Sequence, residues 1–324
     1  MENVVVKIVE SDKLDYEEFV RLHRFSFTHV LDTNRSKEIQ NLKHFVWKYN
    51  PPAGKARIAI IQDGARIIAA NSMIPLHVTF NGERQIAWQS CDTATDPEAR
   101  GRGYFSLCIE ALADSLKPGE IFFGFPNKNS FKGFSKLGWT ENEVVSASCC
   151  LTPMLLNFSR KIHQVHNFDS THSNFLESYS KERGPCLEKS VDYLNWRYCL
   201  HPKPLYSLFV YSSKNGVEGV LVLRKVTTER FSFSLVMEVL AVKKTVRHEL
   251  LKYASYWGVN KRAWPVAVVQ SDFSVGEGVF SGFVPVPYKL LPKRQVLMGM
   301  VGGHVKNPIF ENQWHVQTGD WDGF

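Results

Sequence analysis

Features that would mark several protein classes are missing from this sequence. Its six cysteines (Cys91, Cys108, Cys149, Cys150, Cys186 and Cys199) show no CxxC spacing. That argues against a zinc site and against a disulfide framework, and it fits a reducing cytoplasm. No apolar run reaches the ~18–20 residues a membrane helix needs. The best candidate, Ala65 to Phe80, is interrupted by Asn71, Ser72, Pro75 and His77. The start, Met1-Glu2-Asn3, is not basic and runs into the β-like Val4-Val5-Val6, unlike a secretory leader. Glycine (21) and proline (15) are too few for a collagen-like or low-complexity chain. Lysine and arginine are scattered, with no run of five or six. The formal charge of +7 therefore points to anionic partners in general rather than to nucleic acid.

What is present is globular. Hydrophobic residues make up 44% of the 324 and charged residues 22%, enough for a sizeable core. The length suggests two domains or one large one.

The chain also repeats itself. Phe45-Val46-Trp47-Lys48-Tyr49 followed by Pro51 is echoed by Leu194-Asn195-Trp196-Arg197-Tyr198 followed by Pro202. Each is a helix-like segment ending in an aromatic-basic-aromatic triplet and stopped by proline, which cannot continue a helix. A β-rich run, a turn at Asp63-Gly64 or Asn215-Gly216, and a second β-rich run follow in both halves. Such dipeptides between strands are hairpin signals. Third strands are expected at Gln85–Thr95 and Phe231–Val242. Helical spacing then appears at Tyr104, Leu107, Cys108, Ala111 and Leu112, and again at Val246, Leu250, Leu251 and Ala254. Short strands, Ile121–Phe125 and Ala267–Gln270, and a glycine-aromatic pair, Gly138-Trp139 and Gly282-Phe283, close the two copies. The order reads as two copies of one α/β unit, joined near His163–Ser173.

The most informative segment runs Thr95-Asp96-Pro97-Glu98-Ala99-Arg100-Gly101-Arg102-Gly103-Tyr104-Phe105, between a strand and an amphipathic helix. Glycines 101 and 103 permit unusual φ values and keep side chains out of a ligand's way. The helix that follows starts with unpaired N–H groups and the positive end of its dipole, a ready anion site. Arg100 and Arg102 add charge suited to a pyrophosphate. A P-loop is excluded, because no Lys-Ser or Lys-Thr follows the glycines. A dinucleotide fingerprint is excluded too, because Ser106 stands three beyond Gly103.

Arg100-Gly101-Arg102-Gly103, with Pro97 three before it, resembles the R/Q-x-x-G-x-G/A motif of the GCN5-related N-acetyltransferase (GNAT) superfamily. Further on, Asn127-Lys128-Asn129-Ser130-Phe131 through Lys136-Leu137-Gly138-Trp139 resembles that family's segment of Asn, helix and K-L-G-F. The resemblance covers residues 4–150 well and extends more weakly over the second half. It implies an α+β (mixed α/β) fold of two tandem GNAT-like domains, each a mostly antiparallel twisted sheet with helices on both faces. Residues 1–155 would carry the acyl-CoA site. Residues 156–324 would be a degenerate copy contributing to the acceptor site.

The resemblance implies a mechanism as well. Acyl-CoA, here acetyl-CoA, would lie in the V between the fourth and fifth strands and pass its acyl group directly to the amine of a small polar acceptor such as an amino sugar. Its arm would run along Thr93, Ala94 and Thr95. Its pyrophosphate would sit on the N–H groups of Arg100, Gly101, Arg102, Gly103, Tyr104 and Phe105. Asn127 and Ser130 would line the opposite wall. No metal, nucleic acid or membrane partner is implied. Asp92, near the splay, is the candidate base, with a structural carboxylate as the competing reading. The family's acid tyrosine aligns with Phe134, which donates no proton. Cys91 has no adjacent histidine to activate it and reads as a small buried residue, and His77 reads as structural. The second copy has Lys243-Lys244-Thr245 where the glycines would stand, and so is expected to bind no CoA. The end of the chain, Trp314 to Phe324, offers either an acceptor-recognition surface or a docked tail. The alternatives are a non-catalytic acyl-CoA-binding scaffold and a Fem-type aminoacyl transferase, which lacks the CoA turn seen here.

Overall fold

The computed structural model describes residues 4–27, 41–144, 146–150, 159–270, 282–287, 296–304 and 308–321. The chain divides into two compact units. The first comprises Met1–Val78, Gln85–Asn142 and Leu297–Glu311, and the second Thr79–Arg84, Glu143–Val296 and Asn312–Phe324. The expected boundary between residues 155 and 156 lies outside the described residues.

In the first unit, β1 (Val6–Glu10) leads into α1 (Tyr16–Ser26) and α2 (Leu42–Lys48). Asp15 caps α1 by accepting from the N–H groups of Glu17 and Glu18, which satisfies two donors the helix cannot pair. Asn41 does the same for α2 through His44 N–H. The two helices meet through aromatic faces, with Phe19 edge-on to Phe45 at 5.1 Å. Next come β2 (Arg57–Asp63), β3 (Arg66–Phe80) and β4 (Glu83–Thr95). The Asp63-Gly64 hairpin forms as read, pairing Asp63 with Arg66. α3 (Tyr104–Asp114) carries the chain across to β5 (Ile121–Gly124), which lies parallel to β4. α4 (Phe131–Lys136) and β6 (Thr140–Val144) complete the run. The other edge of β5 is taken by an antiparallel strand from late in the chain, Val296–Val301. The sheet order is β1-β2-β3-β4-β5, then Val296–Val301, then β6.

The second unit repeats the scheme. β7 (Ser146–Cys150), β8 (Ile162–Val165), α5 (Ser170–Lys181) and β9 (Cys186–Leu187) precede α6 (Val191–Leu194), which widens into a π turn at Asn195–Cys199. β10 (Tyr206–Ser213), β11 (Gly216–Thr227) and β12 (Ser232–Ala241) form an antiparallel meander. α7 (Lys244–Asn260) then crosses to β13 (Val266–Gln270), parallel to β12, and β14 (Phe283–Pro285) follows. The order is β14-β7-β13-β12-β11-β10-β8. Leu250, Leu251 and Ala254 of α7 pack with Leu221, Val236 and Val239 of the sheet in one apolar core. Both copies end alike: Gly138 and Gly282 take left-handed φ values of 78° and 75°, a conformation only glycine adopts freely. The aromatic after each, Trp139 and Phe283, is buried. Two mostly antiparallel sheets, each with a parallel pair joined through a helix, β4–β5 and β12–β13, form the mixed fold that the resemblance implied. No described helix is long and apolar enough to cross a membrane.

Candidate active site

The parallel pairing of β4 with β5 runs from Ala87↔Ile121 to Ser90↔Gly124. β5 ends there while β4 continues to Thr95, so the strands part just where the candidate residues begin. Past the end of β4, Asp96 turns the chain. It is buried, accepts from Glu98 N–H, and pairs with Arg66 at 3.3 Å and with Arg21 at 4.0 Å. Pro97–Ala99 form one 3-10 turn. Gly101 and Gly103 both have φ of 79°, and a Cβ built on either meets nothing within 4 Å. The glycines are therefore needed for backbone conformation, and the space beside them is open. Gly103 is the N-cap of α3 and, lacking a side chain, gives no cap hydrogen bond. The first N–H groups of an eleven-residue helix thus face this space with the helix dipole behind them.

The arginines divide their work. Arg100 is committed to the protein: Nη2 donates to Ser26 O at 2.8 Å and Nε to Thr95 O at 3.4 Å. It ties the turn to the end of α1. Arg102 is exposed. Tyr104 is buried at the start of α3, and Phe105 stands edge-on to Phe134 at 5.3 Å. Ala94 is buried, and Thr93 Oγ1 accepts from Asn71 of β3. Across the gap, exposed Asn127 and half-buried Ser130 bond to each other: Asn127 Oδ1 accepts from Asn129 and Ser130 N–H, and Ser130 Oγ from Asn127 N–H. They build the turn into α4. Phe134 is buried 4.4 Å from Trp139, so the place of the family's acid is filled by an apolar aromatic cluster.

Asp92 sits on β4 two residues past the last β5 pair, with a left-handed φ of 49°. An aspartate held there is locally strained. Its side chain is 14% exposed, and Lys48 Nζ lies 2.8 Å from Oδ2. Tyr49 donates to the same Oδ2 at 3.0 Å, and its hydroxyl lies 2.7 Å from Ser72 Oγ. A tyrosine has one hydroxyl proton, so Ser72 donates to Tyr49 and Tyr49 to Asp92. Among the described residues, Oδ1 of Asp92 accepts no hydrogen bond. Burial raises the Asp92 pKa, but the charge and hydrogen bond of Lys48, together with His23 and His44, outweigh it and hold the group below the ordinary 3.8. Burial, with the Asp92 charge beside it, keeps Tyr49 protonated far above its usual 10.0. Burial pushes His23 down to about 4, so its ring is neutral; it hydrogen-bonds to the Asp92 main chain. Cys91 is buried and in no disulfide, and His77 is half-buried on β3.

Sequence reading found Asp92 but took Lys48 and Tyr49 only as members of a repeated triplet, and it passed over His23 and Ser72. The available signal was a lysine within an apolar, aromatic helix. Such a position buries the charge and demands a carboxylate.

The same place in the second unit is built differently. β12 and β13 pair up to Val236↔Val268. Beyond that, the chain's own C-terminal segment bridges them: Gln317 Oε1 accepts from Val239 N–H at 3.3 Å, while Thr318 Oγ1 accepts from Val269 N–H and donates to Val269 O, both at 3.0 Å. Glu238, two residues past Val236, accepts from Tyr198 at 2.5 Å and from Lys189 at 2.8 Å, and Lys189 also pairs with Asp320. Arg197 donates to Gly319 O and Trp321 O. Of the two readings for the chain end, the described part, through Trp321, is the docked one.

An acetyltransferase (GNAT) domain family matches residues 7–142. No curated protein sequence matches the chain. Among solved structures it is similar to a GCN5-related N-acetyltransferase from Anabaena variabilis (TM-score 0.64, 12% identity, 92% of this chain and 73% of that one). It is also similar to Saccharomyces cerevisiae N-myristoyltransferase with bound myristoyl-CoA (TM-score 0.59, 8% identity, 95% and 86%). A tandem GNAT protein of the clavulanic acid biosynthesis pathway matches as well (TM-score 0.57, 10% identity, 93% and 100%). Residues 7–142 thus match a GNAT acetyltransferase domain, which supports an N-acyltransferase activity of the acyl-CoA-dependent kind.

Proposed function

We propose that the first unit transfers an acyl group, acetyl in the first instance, from acyl-CoA to the amine of a small polar acceptor such as an amino sugar. The observation that carries this is the uncapped start of α3 at left-handed Gly103, opening onto free space where β4 has parted from β5. The N–H groups from Arg100 to Phe105 hold the pyrophosphate, the Thr93–Thr95 edge pairs with the amide-bearing arm, and Asn127 and Ser130 shape the far wall. Because Arg100 is occupied by carbonyls, Arg102 is the arginine that meets the phosphates.

In the reaction the neutral amine attacks the thioester carbon. The N–C bond forms, the C–S bond breaks, and the sulfur leaves as thiolate. The nitrogen's extra proton passes to Oδ1 of Asp92. That nitrogen is far more acidic once acylated than as a free ammonium, so a carboxylate of low pKa suffices. Main-chain N–H groups of β4 stabilise the developing oxyanion. With Phe134 in place of an acid, the thiolate departs without protein protonation. The second unit binds no coenzyme. Its turn before α7 has no glycine, and the segment Gln317–Asp320 already spans the parted strands. Six free cysteines favour the cytoplasm.

The test is thiol release from acetyl-CoA over a panel of primary amines. Turnover with at least one amine is expected. Asp92→Asn should lower kcat by about 10²-fold and leave coenzyme affinity unchanged. Acetyl-CoA binding without turnover for any amine would replace this reading with the scaffold one, which Phe134 favours.

A further inference from the structure

The repeated aromatic-basic-aromatic triplet has a common task in the two units. Tyr49 donates to Asp92, two residues past the last parallel pair of β4, and Tyr198 donates to Glu238, two residues past the last parallel pair of β12. The two hydroxyls reach equivalent points of equivalent strands. The basic residue differs. Lys48 turns onto the carboxylate itself, whereas Arg197 turns onto the carbonyls of the C-terminal segment, and Lys189 supplies the cation for Glu238.

In the second unit this node is sealed. Glu238 is fully buried, with Lys189 and Asp320 closing over it. In the first unit the Asp92 side chain retains 14% exposure, and the Lys48 and Tyr49 contacts both fall on one carboxylate oxygen. Two donors converging on Oδ2 from consecutive residues fix the rotation of the carboxyl group and leave Oδ1 as its acceptor.

We propose that Lys48 and Tyr49 are positioning residues of acyl transfer, holding Oδ2 of Asp92 so that Oδ1 takes the proton from the acylating amine. Ser72 holds Tyr49 in its donor role, and the His23 ring hydrogen-bonds to the Asp92 backbone. The groups facing Asp92 are Lys48 and His44 from α2, His23 from α1, and Tyr49 just past α2. This inference rests on the acyltransferase reading of the first unit and on Asp92 as the proton acceptor.

The experiment follows thiol release from acetyl-CoA with a pool of primary amines across pH 5–9, together with acetyl-CoA affinity by calorimetry. The variants are Lys48→Gln, Lys48→Arg, Tyr49→Phe and, for the equivalent bond of the second unit, Tyr198→Phe. Tyr49→Phe should lower kcat at least tenfold with the KM for acetyl-CoA unchanged. Lys48→Gln should steepen the acid limb that protonation of the amine already gives the kcat/KM profile, as Asp92 loses its counter-charge, and Lys48→Arg should restore the wild-type slope. Tyr198→Phe should reduce the melting temperature without changing kcat. Lys48→Gln and Tyr49→Phe variants that melt earlier yet keep the wild-type kcat and pH profile overturn the positioning role while the enzymatic reading stands. Tyr49→Phe tests the role even where Lys48→Gln fails to fold. A wild-type chain that binds acetyl-CoA but releases no thiol with any amine overturns both.

Discussion

Gly319 lies directly against Tyr198: a Cβ built on the glycine would stand 1.9 Å from the tyrosine hydroxyl oxygen and 2.6 Å from Oε1 of Glu238. No side chain fits there while Tyr198 keeps its bond to Glu238. Gly319→Ala should therefore destabilise the second unit by about 1–3 kcal/mol, the usual range for overpacking a filled interior. Urea unfolding would measure it. An unchanged midpoint would mean that the C-terminal segment does not sit in this node.

His23 makes the first unit acid-sensitive. Its pKa falls from 6.5 to about 4 on burial. Between those values the unfolded chain binds the proton and the folded chain does not, so stability is full above pH 6.5 and declines as pH drops toward 4. The whole effect is about 3 kcal/mol. The His23 ring resonance followed by NMR should titrate near pH 4, and His23→Met should flatten this part of the pH–stability curve. A ring titrating near 6.5 would show that it is not buried as described.

Glu238 has the opposite sign. Burial, which the Lys189 charge only partly offsets, raises its pKa from 4.5 to about 6. The folded state therefore holds a proton that the unfolded state has lost between those values. The stabilisation is complete below pH 4.5 and is lost as pH rises through 6. Glu238→Gln, which keeps the shape without the charge, should remove that decline and leave the Lys189–Asp320 pair intact. Denaturation curves at pH 4.5 and 7 for the two chains would show it. The same pH dependence in both would assign it to another group.

The repeat was the most legible part of the chain. Strand alternation, Asp63-Gly64 and Asn215-Gly216, and the helical spacing of Tyr104–Leu112 and Val246–Ala254 are local signals, and each element formed where they placed it. The glycine turn before α3 was legible for the same reason, since positive φ at Gly101 and Gly103 is a local demand. Strand exchange between the sheets was not. Ser146–Cys150 pairs in the second sheet and Val296–Val301 in the first, and strand partners so far apart in the sequence leave no mark on periodicity. The Lys48–Asp92 pair joins residues 44 positions apart, and Lys189–Asp320 joins residues 131 apart. Reading either requires knowing which strand each helix covers. Arg100 looked like a phosphate ligand, but its side chain holds the carbonyls of Ser26 and Thr95.

The central claim is that the turn before α3, and not its counterpart before α7, holds the coenzyme. Calorimetric titration with acetyl-CoA of the wild type and of Gly103→Asp tests it most directly. Because a Cβ at residue 103 meets no atom within 4 Å, the aspartate would project into the open space beside the turn and strain the local backbone. The account predicts one acetyl-CoA per wild-type chain and none for the folded Gly103→Asp chain. Two bound per chain, or unchanged affinity in the variant, would contradict it.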